Sequence, residues 1–267
     1  MEHIFLALIG ITMGFLGGML GIGGSIVMIP SLVFVFGENQ HVYQASAMIC
    51  NFFVGIGSIS VHLRKRSMMP HILKQLVPSA VLSAMAGVFV SNSQIFSGGN
   101  SYILARIFGV FLLYVIFYNV IRLRNRHNTA MHDFDISHTT RSGTPVILCG
   151  ILSGFTAGLL GIGGGIILVP AQQLFLKMPI KRAVINSAAT IVAIALAGAL
   201  YKNLSLCHHG LSVLESLKIA IFIIPGALAG SIIGSRVLHK LPVKVVRIVF
   251  ICLAIPASYK LIMLTGI

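Results

Sequence analysis

The chemistry this sequence can perform is concentrated in two glycine clusters, Leu20-Gly21-Ile22-Gly23-Gly24-Ser25 and Leu160-Gly161-Ile162-Gly163-Gly164-Gly165. Each Gly costs a helix interior about 1 kcal/mol relative to Ala. Three Gly in 21–25 and four in 161–165 therefore predict a helix break at each cluster. Successive glycines can aim several N–H groups at one point, and the apolar residues that follow predict a helix starting there. A helix N-terminus carries about half a positive charge. Together these features make an anion site that needs no charged side chain. The candidate binding groups are the backbones of Gly21, Gly23, Gly24, Ser25, Gly161, Gly163, Gly164 and Gly165. Asn51, Asn186 and Ser187, with Thr190 beside them, add amides and hydroxyls in the next apolar segment of each half. Such groups can hydrogen-bond an oxyanion, and they can equally tie helices together for about 0.6 kcal/mol each.

The surrounding elements must be membrane helices. The 267 residues are 57% hydrophobic and 9% charged, against about 25% charged for a soluble domain. Lipid is the expected partner surface. The formal charge of +14 comes from short basic runs between apolar segments. Membrane loops have this pattern, and it argues against nucleic acid as a partner. Charge-free windows cover 4–37, 42–61, 75–105, 107–121, 142–176, 183–201, 219–235 and 248–259. The fold class is an all-α polytopic membrane protein with about eight segments. The first and fifth windows are too long for one span, and each contains a glycine cluster. Non-helical backbone at membrane depth survives only within protein or beside water, so the breaks predict a cavity. The N-terminus lacks a basic n-region, so no cleavable signal is expected.

The clusters belong to a longer repeat. Gly14 to Pro30 matches Gly154 to Pro170 at an offset of 140, with ten of seventeen columns identical. Pro78 corresponds to Pro225, and Arg106-Ile107 to Arg247-Ile248. The expected organisation is a first membrane repeat at 1–122, a polar cytoplasmic linker at 123–142, and a second repeat at 143–267. Internal repeats of this kind place a transport site at the repeat interface. If windows one and five are re-entrant hairpins, the halves are inverted. Fifteen Lys and Arg then lie inside and three outside, a distribution the positive-inside rule favours. This arrangement puts both termini in the periplasm. Gly10, Gly14 and Gly18 are spaced four apart, as are Gly150, Gly154, Gly158 and Gly226, Gly230, Gly234. These ladders read as helix-packing surfaces.

The motif G-F-x-x-G-x-L-G-I-G-G-G-x-x-x-x-P, present twice in register, resembles that of the sulfite exporter TauE/SafE family, the toluene-sulfonate uptake permease group. The resemblance extends over essentially the whole chain, including Pro225-Gly226-Ala227-Leu228-Ala229-Gly230. It implies about eight membrane segments and transport of sulfite, a sulfonate or another sulfur-containing organic anion across a cell inner membrane. Ser25 departs from the motif where the second copy has Gly165, which implies that the half-sites differ.

Other chemistries find little support in the sequence. An intramembrane enzyme needs an acid pair, a Ser–His pair or a metal set at depth. The acids are Glu2, Glu38, Asp133, Asp135 and Glu215, all outside the windows. No catalytic residue, cofactor or metal ligand is expected. His62 reads as an interfacial residue, and His127, His132 and His138 as parts of a solvated linker. Cys50, Cys149, Cys207 and Cys252 show no paired spacing, and Gln172 and Gln173 read as capping or loop residues. Without intramembrane carboxylates, proton coupling leaves only His or the anion's own protonation. The remaining choice is uniport, with the membrane potential favouring anion export by about 2.3 kcal/mol per charge per 100 mV. The alternatives to a carrier are an anion channel and a structural or assembly factor.

Overall fold

The computed structural model describes residues 2–37, 39–63, 69–93, 101–124, 143–178, 180–206 and 211–238, with isolated positions between 248 and 263. Among the described residues the regular structure is helical. The helices are α1 (Glu2–Leu20), α2 (Ser25–Phe36), α3 (Gln40–Leu63), α4 (Pro70–Ser91), α5 (Ser101–Arg124), α6 (Thr144–Leu160), α7 (Gly165–Phe175), α8 (Ile180–Leu206) and α9 (Val213–Val237). Four stretches among them are long and apolar enough to cross a membrane: Gln40–Leu63, Pro70–Ser91, Arg182–Leu206 and Val213–Val237.

The first and fifth windows split at the glycine clusters, as their composition requires. Helix α1 ends at Gly21 (φ 62°), and α6 ends at Gly161 (φ 71°). Both are left-handed positions that Gly takes without strain. Their N–H groups close back on Gly17 O at 2.9 Å and Ala157 O at 2.8 Å. The chain then reverses. A Cβ on Gly24 would fall 2.7 Å from Met13 O, and one on Gly164 would fall 2.8 Å from Ser153 O. Each start of α2 and α7 thus lies back alongside the helix that precedes it.

The glycine ladders do pack helices. Helix α1 runs along α9, and α6 runs along α4, as the two most extensive pairs. Gly10, Gly14 and Gly18 meet backbone at Ile223, Ala227 and Ser231, while Gly150, Gly154 and Gly158 meet Leu76, Ala80 and Ala84. Every one of these contacts joins an early helix to a late one. Helices α3 and α8 cross at the centre in opposite directions, with Gly198 against Met48 and Gly55 against Val192.

The polarity of the fold is that of a protein dissolved in lipid. Phe34, Leu82 and Leu204 are 71%, 70% and 71% exposed. Gln44, Ser46, Asn51, Asn186, Ser187, Thr190 and Lys202 are buried. Apolar side chains face outward because lipid costs them nothing, and polar ones turn inward to find partners.

Helix ends depart from the charge-free windows where a charge is buried. The sixth window stops at 201, but α8 continues to Leu206 and takes in Lys202, which sequence reading assigns to a loop. The ammonium is hydrogen-bonded inside the bundle, so the helix has no reason to end there. His62 is likewise buried rather than interfacial, and Gln172 is buried within α7 rather than in a loop. Cys50 and Cys149 are buried, whereas Cys252 is exposed. Cys207, His208, His209 and the linker residues His127, His132, Asp133, Asp135 and His138 lie outside the described residues.

Candidate anion site

The two breaks meet. A Cβ on Gly165 would collide with Gly21 O and lie 2.5 Å from Ile22 Cα, and one on Gly23 would sit 3.0 Å from Ile162 O. The start of α7 therefore rests on the turn of the first break. This close approach accounts for the departure at Ser25. At 165 only Gly fits under Gly21, whereas Ser25 has room for its hydroxyl and a partner for it.

That partner is Asn51. Its Oδ1 accepts the Gly24 N–H at 2.9 Å, and its Nδ2 donates to Ser25 Oγ. Asn51 also faces the second break, because a Cβ on Gly163 would lie 2.9 Å from its Nδ2. One amide thus stands between the two glycine turns. Ser187, from α8, donates its hydroxyl to Gly21 O at 2.6 Å. Asn186 goes elsewhere. Its Oδ1 accepts the Met69 N–H at 3.4 Å and its Nδ2 lies 3.5 Å from Gln172 Oε1, away from both breaks. Thr190 donates to Asn186 O at 2.8 Å.

The electrostatics come from the backbone. Helices α2 and α7 begin at the meeting point with N-caps Gly24 and Gly164. Their first two N–H groups, at Ser25 and Ile26 and at Gly165 and Ile166, have no intrahelical acceptor, and both dipoles present their positive ends to the same place. Gly21, Gly23, Gly24, Ser25 and residues 161–165 are buried, with Ile22 half-buried. The backbone of both breaks is enclosed by protein. Asn51, Ser187 and the doubled-back helices satisfy the irregular backbone that water would otherwise have to serve. Two cavities, of about 390 and 300 Å³, lie elsewhere and are lined by no residue of either break.

Sequence reasoning missed Gln44 and Lys202. Gln44 packs its Cβ and Cγ 2.8 Å from where a Gly161 Cβ would be, and its Nε2 donates to Leu159 O at 3.4 Å. Position 44 stands to 184 as the first break stands to the second, at the same offset of 140. Val184 correspondingly packs on Gly21. This reciprocal register was the one signal that could have placed Gln44.

A bundle of apolar-faced helices with two broken segments meeting inside it is the architecture of a multi-pass membrane protein. The chain belongs to the Sulfite exporter TauE/SafE family, whose pattern matches residues 6–261. Among its relatives, a probable membrane transporter protein of Methanocaldococcus jannaschii is 30% identical over 72% of this chain and 69% of its own length. The probable membrane transporter protein YunE of Bacillus subtilis is 25% identical over 97% and 98%. The probable membrane transporter protein MamO of Paramagnetospirillum magneticum is 25% identical over 100% of this chain, which spans only 45% of MamO. No solved structure matches the chain.

Proposed function

We propose that this protein is a permease of the cell inner membrane for a small oxyanion of the sulfite or sulfonate kind. The anion is held by the backbone N–H groups that open α2 and α7. One observation carries the reading: both helix N-termini and Asn51 converge where the two broken segments touch. The family's description names sulfite, which is the smallest cargo of this chemistry. Residues 1–122 and 143–267 act as two repeats, joined by the cytoplasmic linker 123–142. They enclose the site between them in inverted orientation. Cysteine labelling that placed the C-terminus in the cytoplasm would overturn the inversion.

The burial of the breaks favours a carrier over a channel. A carrier passes through a state closed to both sides, and a conducting pore leaves a continuous path. Purified protein in proteoliposomes should show saturable sulfite flux and counterflow, and sulfite should raise its melting temperature by mass action. Sulfate, thiosulfate, alkyl sulfonates and carboxylates serve as competitors. Non-saturating flux without counterflow would support the channel. No flux and no thermal shift with any of them would remove the transport reading.

A further inference from the structure

Lys202 lies near the end of α8 and is 1% exposed. Its Nζ is 2.7 Å from Ser91 Oγ, 2.7 Å from Asn92 Oδ1 and 3.0 Å from His41 Nδ1. Three acceptors from the end of α4 and the start of α3 match the three N–H bonds of an ammonium. Ser91 and Asn92 are neutral acceptors, and His41 accepts from the ammonium in the tautomer that carries its proton on Nε2. Among the described residues no carboxylate pairs with this ammonium, which is oriented by dipoles instead.

The cluster is connected to the glycine breaks. Ser91 Oγ donates to Gln44 Oε1 at 3.3 Å, and Gln44 Nε2 donates to Leu159 O at 3.4 Å, one residue before the end of α6. Lys202, Ser91 and Gln44 thus form a hydrogen-bonded path that ends at the second break. The antiparallel crossing of α3 and α8 puts His41 and Lys202 at one end of the central site. In the repeat register of 140, His62 corresponds to Lys202 and Lys181 to His41.

We propose that Lys202 and His41 form a charged anion station on the route to the paired breaks. There an oxyanion replaces Ser91 or Asn92 at Nζ. This rests on the transport reading above and names the charged group which that reading lacked. An anionic oxygen makes a stronger bond to an ammonium than a hydroxyl or an amide does. The neutral acceptors hold the lysine in place until such an oxygen arrives. The ligand class is a small anion with a sulfite, sulfonate or carboxylate head, and cations are repelled.

The test uses the full chain in proteoliposomes with sulfite as the probe. Lys202→Gln keeps the hydrogen bonding and removes the charge. It should raise the half-saturation concentration by at least about tenfold. Lys202→Met keeps the stem and removes the charge, so its half-saturation concentration should also rise by at least about tenfold. If the natural protein carries sulfite and Lys202→Gln carries it with unchanged half-saturation, the station is overturned and the transport reading stands. If Lys202→Gln does not fold, a Lys202→Met protein with the natural half-saturation overturns the station. If the natural protein moves none of the anions, both fall together.

Discussion

Asn51→Asp is the sharpest perturbation of the proposed site, because it keeps the shape, adds a charge and requires only that the Ser25 hydroxyl turn from acceptor to donor. Asn51 Oδ1 accepts the Gly24 N–H at 2.9 Å, and its other amide atom reaches Ser25 and the second break. A carboxylate has the same shape and accepts the Gly24 N–H more strongly. Folding should therefore survive. An anion held by the neighbouring amides of 23, 25 and 163–165 would sit about 4–6 Å from the new charge. At an effective dielectric of about 20 that separation costs about 3–4 kcal/mol, a loss of roughly two to three orders of magnitude in binding. If Asn51 is only a strut between helices, the substitution should leave sulfite flux nearly unchanged.

The assay is initial-rate sulfite uptake into proteoliposomes, with monodispersity and ligand-free melting temperature as the folding control. Asn51→Asp should fold and fail to transport at neutral pH. Flux should partly return on acidification, as the carboxyl is neutralised. Asn51→Ala should lose stability instead, by about 1–3 kcal/mol, because the buried Gly24 N–H loses its acceptor. A folded Asn51→Asp protein with natural flux at neutral pH would refute the placing of an anion between the breaks.

Three further outcomes follow from the same geometry. Gly23→Val and Gly163→Val should each insert into membranes but transport sulfite at under about a tenth of the natural rate, since a β-branched residue at φ 77° or 76° costs at least about 1–2 kcal/mol and strikes Asn51; radiolabelled uptake measures it. Ser187→Ala strips the hydroxyl from Gly21 O and should cost about 1–3 kcal/mol in denaturant unfolding, with flux reduced alongside. Gly154→Leu should abolish folded yield in detergent, since its Cβ would collide with Ala80 O, whereas Gly37→Ala meets nothing within 4 Å and should cost only the left-handed strain of about 1–2 kcal/mol.

The helix breaks were legible in the sequence because glycine acts locally: no neighbour is needed to make 21–24 and 161–164 poor helix. The ladders were legible for the same reason, through a spacing of four that puts small residues on one helix face. What remained hidden was settled at long range. Asn186 and Ser187 are adjacent, and sequence offers no reason to separate them. A step of one residue turns a helix by about 100°, and that carries Ser187 to Gly21 and Asn186 to Gln172. Lys202 was hidden by the very rule that located the spans. A charge ends a window, and nothing in the residues 199–206 shows that Ser91, Asn92 and His41 wait to receive it.

The two halves are close to equal in sequence at the breaks and unequal in what surrounds them. In the register of 140, Asn51 has Ile191 as its counterpart, Ser187 has Ala47, and Ser25 has Gly165. All three polar members serve the first break: Asn51 caps Gly24 and holds Ser25, and Ser187 takes Gly21 O. At the second break the corresponding places are filled by Ile191, which packs against Gly163 and Gly165, and by hydrogen. The side-chain hydrogen bond nearest to it comes from Gln44, to Leu159 O before the turn. The first break is therefore braced in position by neutral dipoles. The second is held chiefly by close packing and reaches, through Gln44 and Ser91, to the charge on Lys202. A duplicated fold supplies two positive helix ends at one point, and the divergence of a few side chains gives them different work. In the proposed site the first is the wall against which the anion is oriented. The second is the turn linked by hydrogen bonds, through Gln44 and Ser91, to Lys202.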